Sequence, residues 1–220
     1  MWKRLFWAWF VFASLICAIV PQGRVFLGAI ALGYLWLALV CFREPLTRFV
    51  MRWPFTETQR FFAVGLVCSN LLMENFAVNF KGDLDPNLLK NMFWWLGMCL
   101  SWVTGWWVLS RYRNYTPHQV FFIAGLMGLC IEKDWMAVRL LMTRQWFPLV
   151  TAAPILVATY GFAVAPSFLV LPTDAATRKP PAGRVAEVFA FLLNFVFVYA
   201  GSAIWLGFLR PLLSRTEPAL

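Results

Sequence analysis

One histidine, His118, stands among 220 residues, and ten acids face nineteen Lys and Arg. A lone imidazole excludes a bis-histidine haem, a di-iron set and a His-rich zinc site. GxSxG, HExxH and a phosphate-cradling glycine loop are missing, which removes the common hydrolase and nucleotide chemistries. The five cysteines, Cys17, Cys41, Cys68, Cys99 and Cys130, are odd in number and include no CxxC pair. Neither a disulfide framework nor a zinc site follows from them. They fall one in each of the first five apolar segments and read as small apolar packers. No catalytic set, metal or cofactor is assigned.

Charge is scarce as well. Charged residues make up 13% of the chain, hydrophobic ones 61%, and the mean hydropathy is +0.69. A soluble domain of this length would expose too much apolar surface, so lipid is the expected solvent. The net charge of +9 is spread over the connections, without a basic patch interleaved with stacking aromatics. Membrane lipids, and not nucleic acid, are therefore the expected partners, with other membrane subunits or further copies of the chain beside them.

What is present is a series of apolar runs, at residues 5–20, 25–42, 61–80, 92–110, 120–142, 149–171 and 188–209. Each approaches the ~20 residues that an α-helix needs to cross a bilayer core. The connections are too short for a soluble domain. Residues 1–220 are read as a single transmembrane domain, an all-α multi-pass bundle of seven helices. The opening "MWKRLFWAWFVFASLICAIV" has the form of a signal peptide but lacks an A-x-A-like cleavage site, so it is read as a retained first helix. The expected location is a prokaryotic cytoplasmic membrane, with the N-terminus in the cytoplasm.

Basic residues test that orientation. Seven spans place eleven Lys and Arg inside and eight outside. A rival chain of six spans, in which residues 120–146 dip in and return, places thirteen inside and six outside. Charge alone favours the rival.

An internal repeat favours seven. At an offset of 60, "TETQRFFAVGLVCSNLLMENFAV" at 56–78 matches "TPHQVFFIAGLMGLCIEKDWMAV" at 116–138, with Thr56/Thr116, Gln59/Gln119 and Gly65/Gly125 identical. Glu74 falls opposite Asp134. The match predicts a tandem, parallel repeat of a two-helix unit over 56–110 and 116–171.

Smaller signals punctuate the bundle. "REPLTRFVMRW" at 43–53 separates Leu46, Phe49, Val50 and Trp53 from Arg48 and Arg52, the pattern of a helix lying in the headgroup layer. Asp85 followed by Pro86 predicts a helix start near Asn87. Pro148, Pro154 and Pro166 predict a bent sixth segment, and residues 172–187 a flexible loop.

Glu74 is the residue most at odds with its surroundings. It lies about two thirds of the way across its predicted helix, where an acid costs up to ~3 kcal/mol. Asn70, Glu74 and Lys81 fall within ~40° on a helical wheel and form a polar stripe. Such a carboxyl acts either as a proton or cation site or as a hydrogen-bonded tie between helices. "IEKDWMAVR" adds Glu132, Asp134 and Arg139, which enter the membrane if the helix continues to Met142 and lie at its surface if it ends at Ile131. In "WWLGMCLSWVTGWW", Gly97, Ser101 and Gly105 step by four and predict close approach of another helix. The adjoining tryptophans line either packing faces or an aromatic ligand pocket.

Three functions are consistent with these residues. One is proton- or cation-coupled transport through Glu74, Asp134, Glu132 and Asn70, with Lys81 and Arg139 as supporting charges. The second is a non-catalytic subunit of a larger membrane complex. The third is a membrane enzyme acting on a lipid or isoprenoid.

Overall fold

A computed structural model describes residues 2–20, 26–81, 88–131, 136–170 and 180–209; within them, the side chains of 73–81, 88–94, 136–138 and 208–209 are not described. The described chain is helical, with no strand. Its elements are α1 (Trp2–Ile19), α2 (Leu27–Cys41), α3 (Arg43–Met51), α4 (Glu57–Lys81), α5 (Leu88–Tyr112), α6 (Pro117–Ile131), α7 (Met136–Met142), α8 (Trp146–Val170) and α9 (Arg184–Ile204). A π-helical turn, Trp205–Leu209, continues α9. Among the described residues, α1, α8 and the stretch Arg184–Gly207 are long and apolar enough to cross a membrane. The pair α2 and α3 makes a fourth if taken as one broken span.

α8 is the centre of the bundle. Its sequence is apolar on every face, and every residue from Thr151 to Ser167 is buried. A helix that is hydrophobic all round suits either a core or lipid, and here its neighbours enclose it. The neighbours come close because small residues let them. A Cβ at Gly125 would overlap the Val157 carbonyl, and one at Gly128 would overlap the Tyr160 ring. Two hydroxyls meet carbonyls across helix boundaries: Thr159 Oγ1, which donates to Ile155 O of its own helix at 2.7 Å, also lies 3.2 Å from Ala29 O, and Ser167 Oγ donates to Phe61 O at 3.2 Å. Phe10, Trp36 and Phe121, all fully buried, complete the packing around its middle.

Pro154 and Pro166 lie inside α8, and the helix continues through both. A proline removes the N–H that would bond the carbonyl four residues earlier, here Val150 O for Pro154. Trp9 of α1 fills that place, its Nε1 donating to Val150 O at 2.7 Å. In hydrocarbon such a carbonyl has no water to turn to. The indole supplies the donor that Pro154 lacks.

The second packing layer joins α5 and α9. A Cβ at Gly97 would overlap Trp205, Gly201 backs onto Ser101, and Gly105 faces Asn194. Ser101 returns its hydroxyl to Gly97 O at 2.7 Å, so its polar atom is satisfied within its own helix. Trp102 and Trp106 turn the other way and are buried, against Tyr160 and against Tyr115 and Phe168.

α3 turns 82° away from α2. Val50 is buried and Leu46 and Trp53 pack against the core, whereas Arg48 and Arg52 are exposed. Phe49, expected on the same apolar face, is exposed too. Arg60 holds α3 back against α4, donating to Trp53 O at 2.8 Å. The run 120–142, read above as one segment, is two helices on either side of residues 132–135. Part of the loop expected to be flexible is fastened. Asn114 N donates to Pro180 O and Ala182 N to Asn114 O, each at 3.1 Å.

These contacts collect one set of helix ends. Trp2 meets Phe122, Phe61 meets Phe168, Arg43 Nε donates to Leu169 O, Arg111 reaches Thr58 and Asn114 pairs with residues 180–182. The starts of α1, α4, α6 and α9 and the ends of α2, α5 and α8 therefore share one end of the bundle.

The indole–carbonyl bond gives a direct test. Trp9→Phe is expected to cost about 1 kcal/mol in chemical denaturation of the detergent-solubilised protein. In a Pro154→Ala background residue 154 supplies its own N–H, and the same replacement should be close to neutral. An equal cost in both backgrounds would reject the proline account.

Candidate functional site

The starts of α4 and α6 are built alike. Thr56 N donates to Gln59 Oε1 at 2.9 Å and Gln59 N to Thr56 Oγ1 at 3.3 Å. Thr116 and Gln119 repeat this at 2.9 and 3.2 Å. Each is a capping box, in which side chains satisfy backbone donors that the first turn leaves free. Pro117, at the first helical position, loses no bond.

Gln119 does more than Gln59. Its amide nitrogen also donates to Ala182 O at 3.0 Å and to Glu187 Oε1 at 2.8 Å. One side chain thus ties the start of α6 to the start of α9. Glu187 sits in the first turn of α9, where a negative charge suits the helix dipole.

A cleft of about 430 Å³ opens beside this junction, between α1, α6 and α8. Lys3, His118, Gln119 and Glu187 form one end of it. The walls beyond are Phe6, Phe122, Leu126, Leu129 and Val157. Lys3 lies 5.9 Å from the centre of the Trp2 ring, a cation–π distance, and Trp2 packs on Phe122 with centroids 4.4 Å apart. His118 stands edge-on to Trp36 at 6.1 Å, and Trp36 stacks on Phe121 at 4.9 Å. The cleft is polar at one end and hydrocarbon along its length.

His118 lies just before the apolar run that begins at Val120. Partial burial holds its pKa below the ordinary 6.5, and the charge of Lys3 pushes in the same direction. Near pH 7 the imidazole is therefore neutral, with one nitrogen to donate and one to accept. The cleft end offers a cation, a carboxylate and a neutral imidazole. Among the described residues, no three His, Cys, Asp or Glu side chains are grouped to hold a metal ion.

The residues singled out by sequence lie elsewhere or outside the described side chains. Asn70 is half-buried on α4 and donates to Leu66 O of its own helix at 2.7 Å. Arg139 is exposed on α7. Glu74 and Lys81 belong to α4, but their side chains lie outside the described set, as do residues 132–135 with Glu132 and Asp134. Gly97, Ser101 and Gly105 lie against α9. The described acids, Glu44, Glu57 and Glu187, all occupy first turns of helices. Lys3, His118, Gln119 and Glu187 were not gathered by the sequence reasoning. The T-x-x-Q spacing was the available signal, because it marks a helix start and leaves a glutamine NH₂ to spend.

The lowered pKa of His118 fixes the sign of a pH effect. The unfolded chain takes the proton more readily than the folded one, so this contribution to stability is complete above the ordinary pKa. It is lost as pH falls through 6.5 towards the folded value, below which the loss levels off. Thermal unfolding at pH 7.5 and 5.5 should show a larger acid loss in the wild type than in His118→Gln, with Lys3→Met between them. Identical losses in all three proteins would contradict the assignment.

Comparison with protein-family models, with curated proteins and with solved structures finds no match for this chain.

Proposed function

We propose that this protein is a multi-pass membrane protein of seven spans that holds an amphiphile, a lipid or isoprenoid with a small polar head, in the cleft between α1, α6 and α8. The observation that carries this reading is the division of the cleft. Lys3, His118 and Glu187 meet at one end, and the remaining walls are aliphatic and aromatic. A head with a full charge of either sign would be repelled by Lys3 or by Glu187, so a neutral or zwitterionic head suits the set. The volume, about 430 Å³, is within the usual range of ligand sites. Trp2, Trp9 and Leu126 are exposed on the flank, which in a bilayer faces acyl chains.

Seven spans are supported by the shared helix ends. In a six-span chain, residues 113–119 and 180–187 would lie on opposite faces of the membrane, yet Asn114 and Gln119 bond to Pro180, Ala182 and Glu187. The duplicated unit, 56–110 and 116–171, is supported by the two capping boxes and by the packing of both α4 and α6 on α8. The shared end carries Lys3, Arg4, Arg43, Arg111, Arg113 and Arg184, which favours a cytoplasmic face and hence a cytoplasmic N-terminus. The transport and complex-subunit readings gain no observation from the described residues.

Two experiments address these claims. A long-chain alcohol with a diazirine near its far end, delivered in phosphatidylcholine vesicles, should crosslink chiefly to Trp9, Leu126 and Leu129. Leu126→Trp, which fills the cleft, should cut that labelling several-fold. Even labelling of all exposed helix faces, unaltered by Leu126→Trp, would remove the ligand reading. For topology, single cysteines at Tyr112 and Gln145 in a cysteine-free background should react from opposite sides. Reaction of both from one side would restore six spans.

A further inference from the structure

A second groove, of about 760 Å³, runs between the end of α5 and the start of α9. Its long wall is apolar, made by Leu109, Phe189 and Leu193, and Phe189 is 57% exposed. At its mouth stand Arg113 and Arg184, both exposed, with Tyr112 beside them. No acid lines it. Among the described residues neither guanidinium is paired with a carboxylate. Glu187, one turn beyond Arg184, lines the other cleft and accepts from Gln119 instead.

The geometry points to an anionic phospholipid as the occupant of this groove. Its phosphate lies between Arg113 and Arg184, and an acyl chain runs down the Leu109–Phe189–Leu193 wall. Arginine suits the site because its planar fork matches phosphate oxygens in pairs. Two cations side by side on an exposed surface repel each other unless an anion joins them, and a bilayer supplies one at this level. The mouth is held in shape from below. Tyr115 Oη donates to Ala186 O at 3.1 Å, and Ala182 N donates to Asn114 O at 3.1 Å, so both arginines project from a fastened junction. A soluble anion would need only the mouth; the apolar wall beneath it selects a lipid. The contrast with the first cleft is chemical, since that one presents both signs of charge and this one presents only cations.

The test uses the full chain in detergent, with dioleoylphosphatidylglycerol, dioleoylphosphatidylcholine and inorganic phosphate as probes, read by native mass spectrometry and by thermal protection. Wild type should retain the glycerol lipid in preference to the choline lipid. At about one surface charge's worth per arginine, each single Arg→Gln replacement should weaken that binding about fivefold, and Arg113→Gln with Arg184→Gln about thirtyfold. The double Arg→Lys variant keeps the charge but loses the fork, and should recover only part of it. Arg48→Gln with Arg52→Gln removes the same charge from α3 and should leave it unchanged. Equal retention of the two lipids by wild type would overturn the proposal without reference to any variant. So would an equal loss in the α3 control, which would mean general surface charge. Equal protection by inorganic phosphate would reduce the groove to an anion site, and loss of self-association in the double variant would make it a contact between copies; either outcome rejects the lipid.

Discussion

The enclosure of α8 is the constraint on which the described structure depends. This helix is apolar on every side and interrupted by two prolines, so it is complete only when its neighbours are in place. Gly125 and Gly128 bring α6 against it, Thr159 and Ser167 reach carbonyls of α2 and α4, and Trp9 of α1 bonds the carbonyl that Pro154 leaves free. In lipid there is little hydrophobic gain in bringing two apolar helices together. Close packing and these few polar bonds must do it, which explains why small residues and hydroxyls fall at the crossings. Deleting any one of the hydroxyl or indole bonds costs little. Filling a glycine crossing separates whole helices.

The apolar runs were legible because hydropathy reports what must leave water. Each run but 120–142, which holds α6 and α7, corresponds to one helix, and Asp85–Pro86 is followed by a helix that starts at Leu88. The central place of α8 was not legible. Lipid and protein interior are equally apolar, so a buried helix such as α8 and a largely exposed one such as α9 read alike in hydropathy. The prolines are legible as missing N–H groups, but the distant Trp9 that bonds the Val150 carbonyl is not. The end of the expected flexible loop, residues 180–187, shows a similar limit. Its anchors, Asn114 and Gln119, lie more than sixty residues away.

Counting basic residues is blind to such long-range contacts in the same physical way. The count assigns whole loops to sides and favours six spans, whereas the backbone bonds between residues 114 and 180–182 bring the starts of α6 and α9 together, which is what the seven-span proposal rests on. The acids show the complementary limit. Glu74 stood out because a carboxyl in an oily run is costly, a criterion that selects depth in the membrane. Glu187 escaped it because the first turn of a helix is an inexpensive place for a carboxylate. Cost marks residues that need an explanation. It does not mark where polar groups converge, and the convergence of Lys3, His118 and Glu187 depends on three helix starts that are far apart in sequence.

Those starts also explain why both clefts lie at the same place. Residues 113–119 and 181–187 wall the cleft beside α1 on one side and the groove beside α5 on the other. Gln119 faces the first and holds Ala182 and Glu187; Tyr115 faces the second and holds Ala186. Tyr115 and Ala182 anchor the junction in the core, and hydrogen bonds fix the geometry of its polar remainder. A ligand that binds only the ordered junction adds its binding free energy to that order. An amphiphile in one cleft and a lipid in the other would therefore stabilise the same few bonds, and each would favour the other without any contact between them.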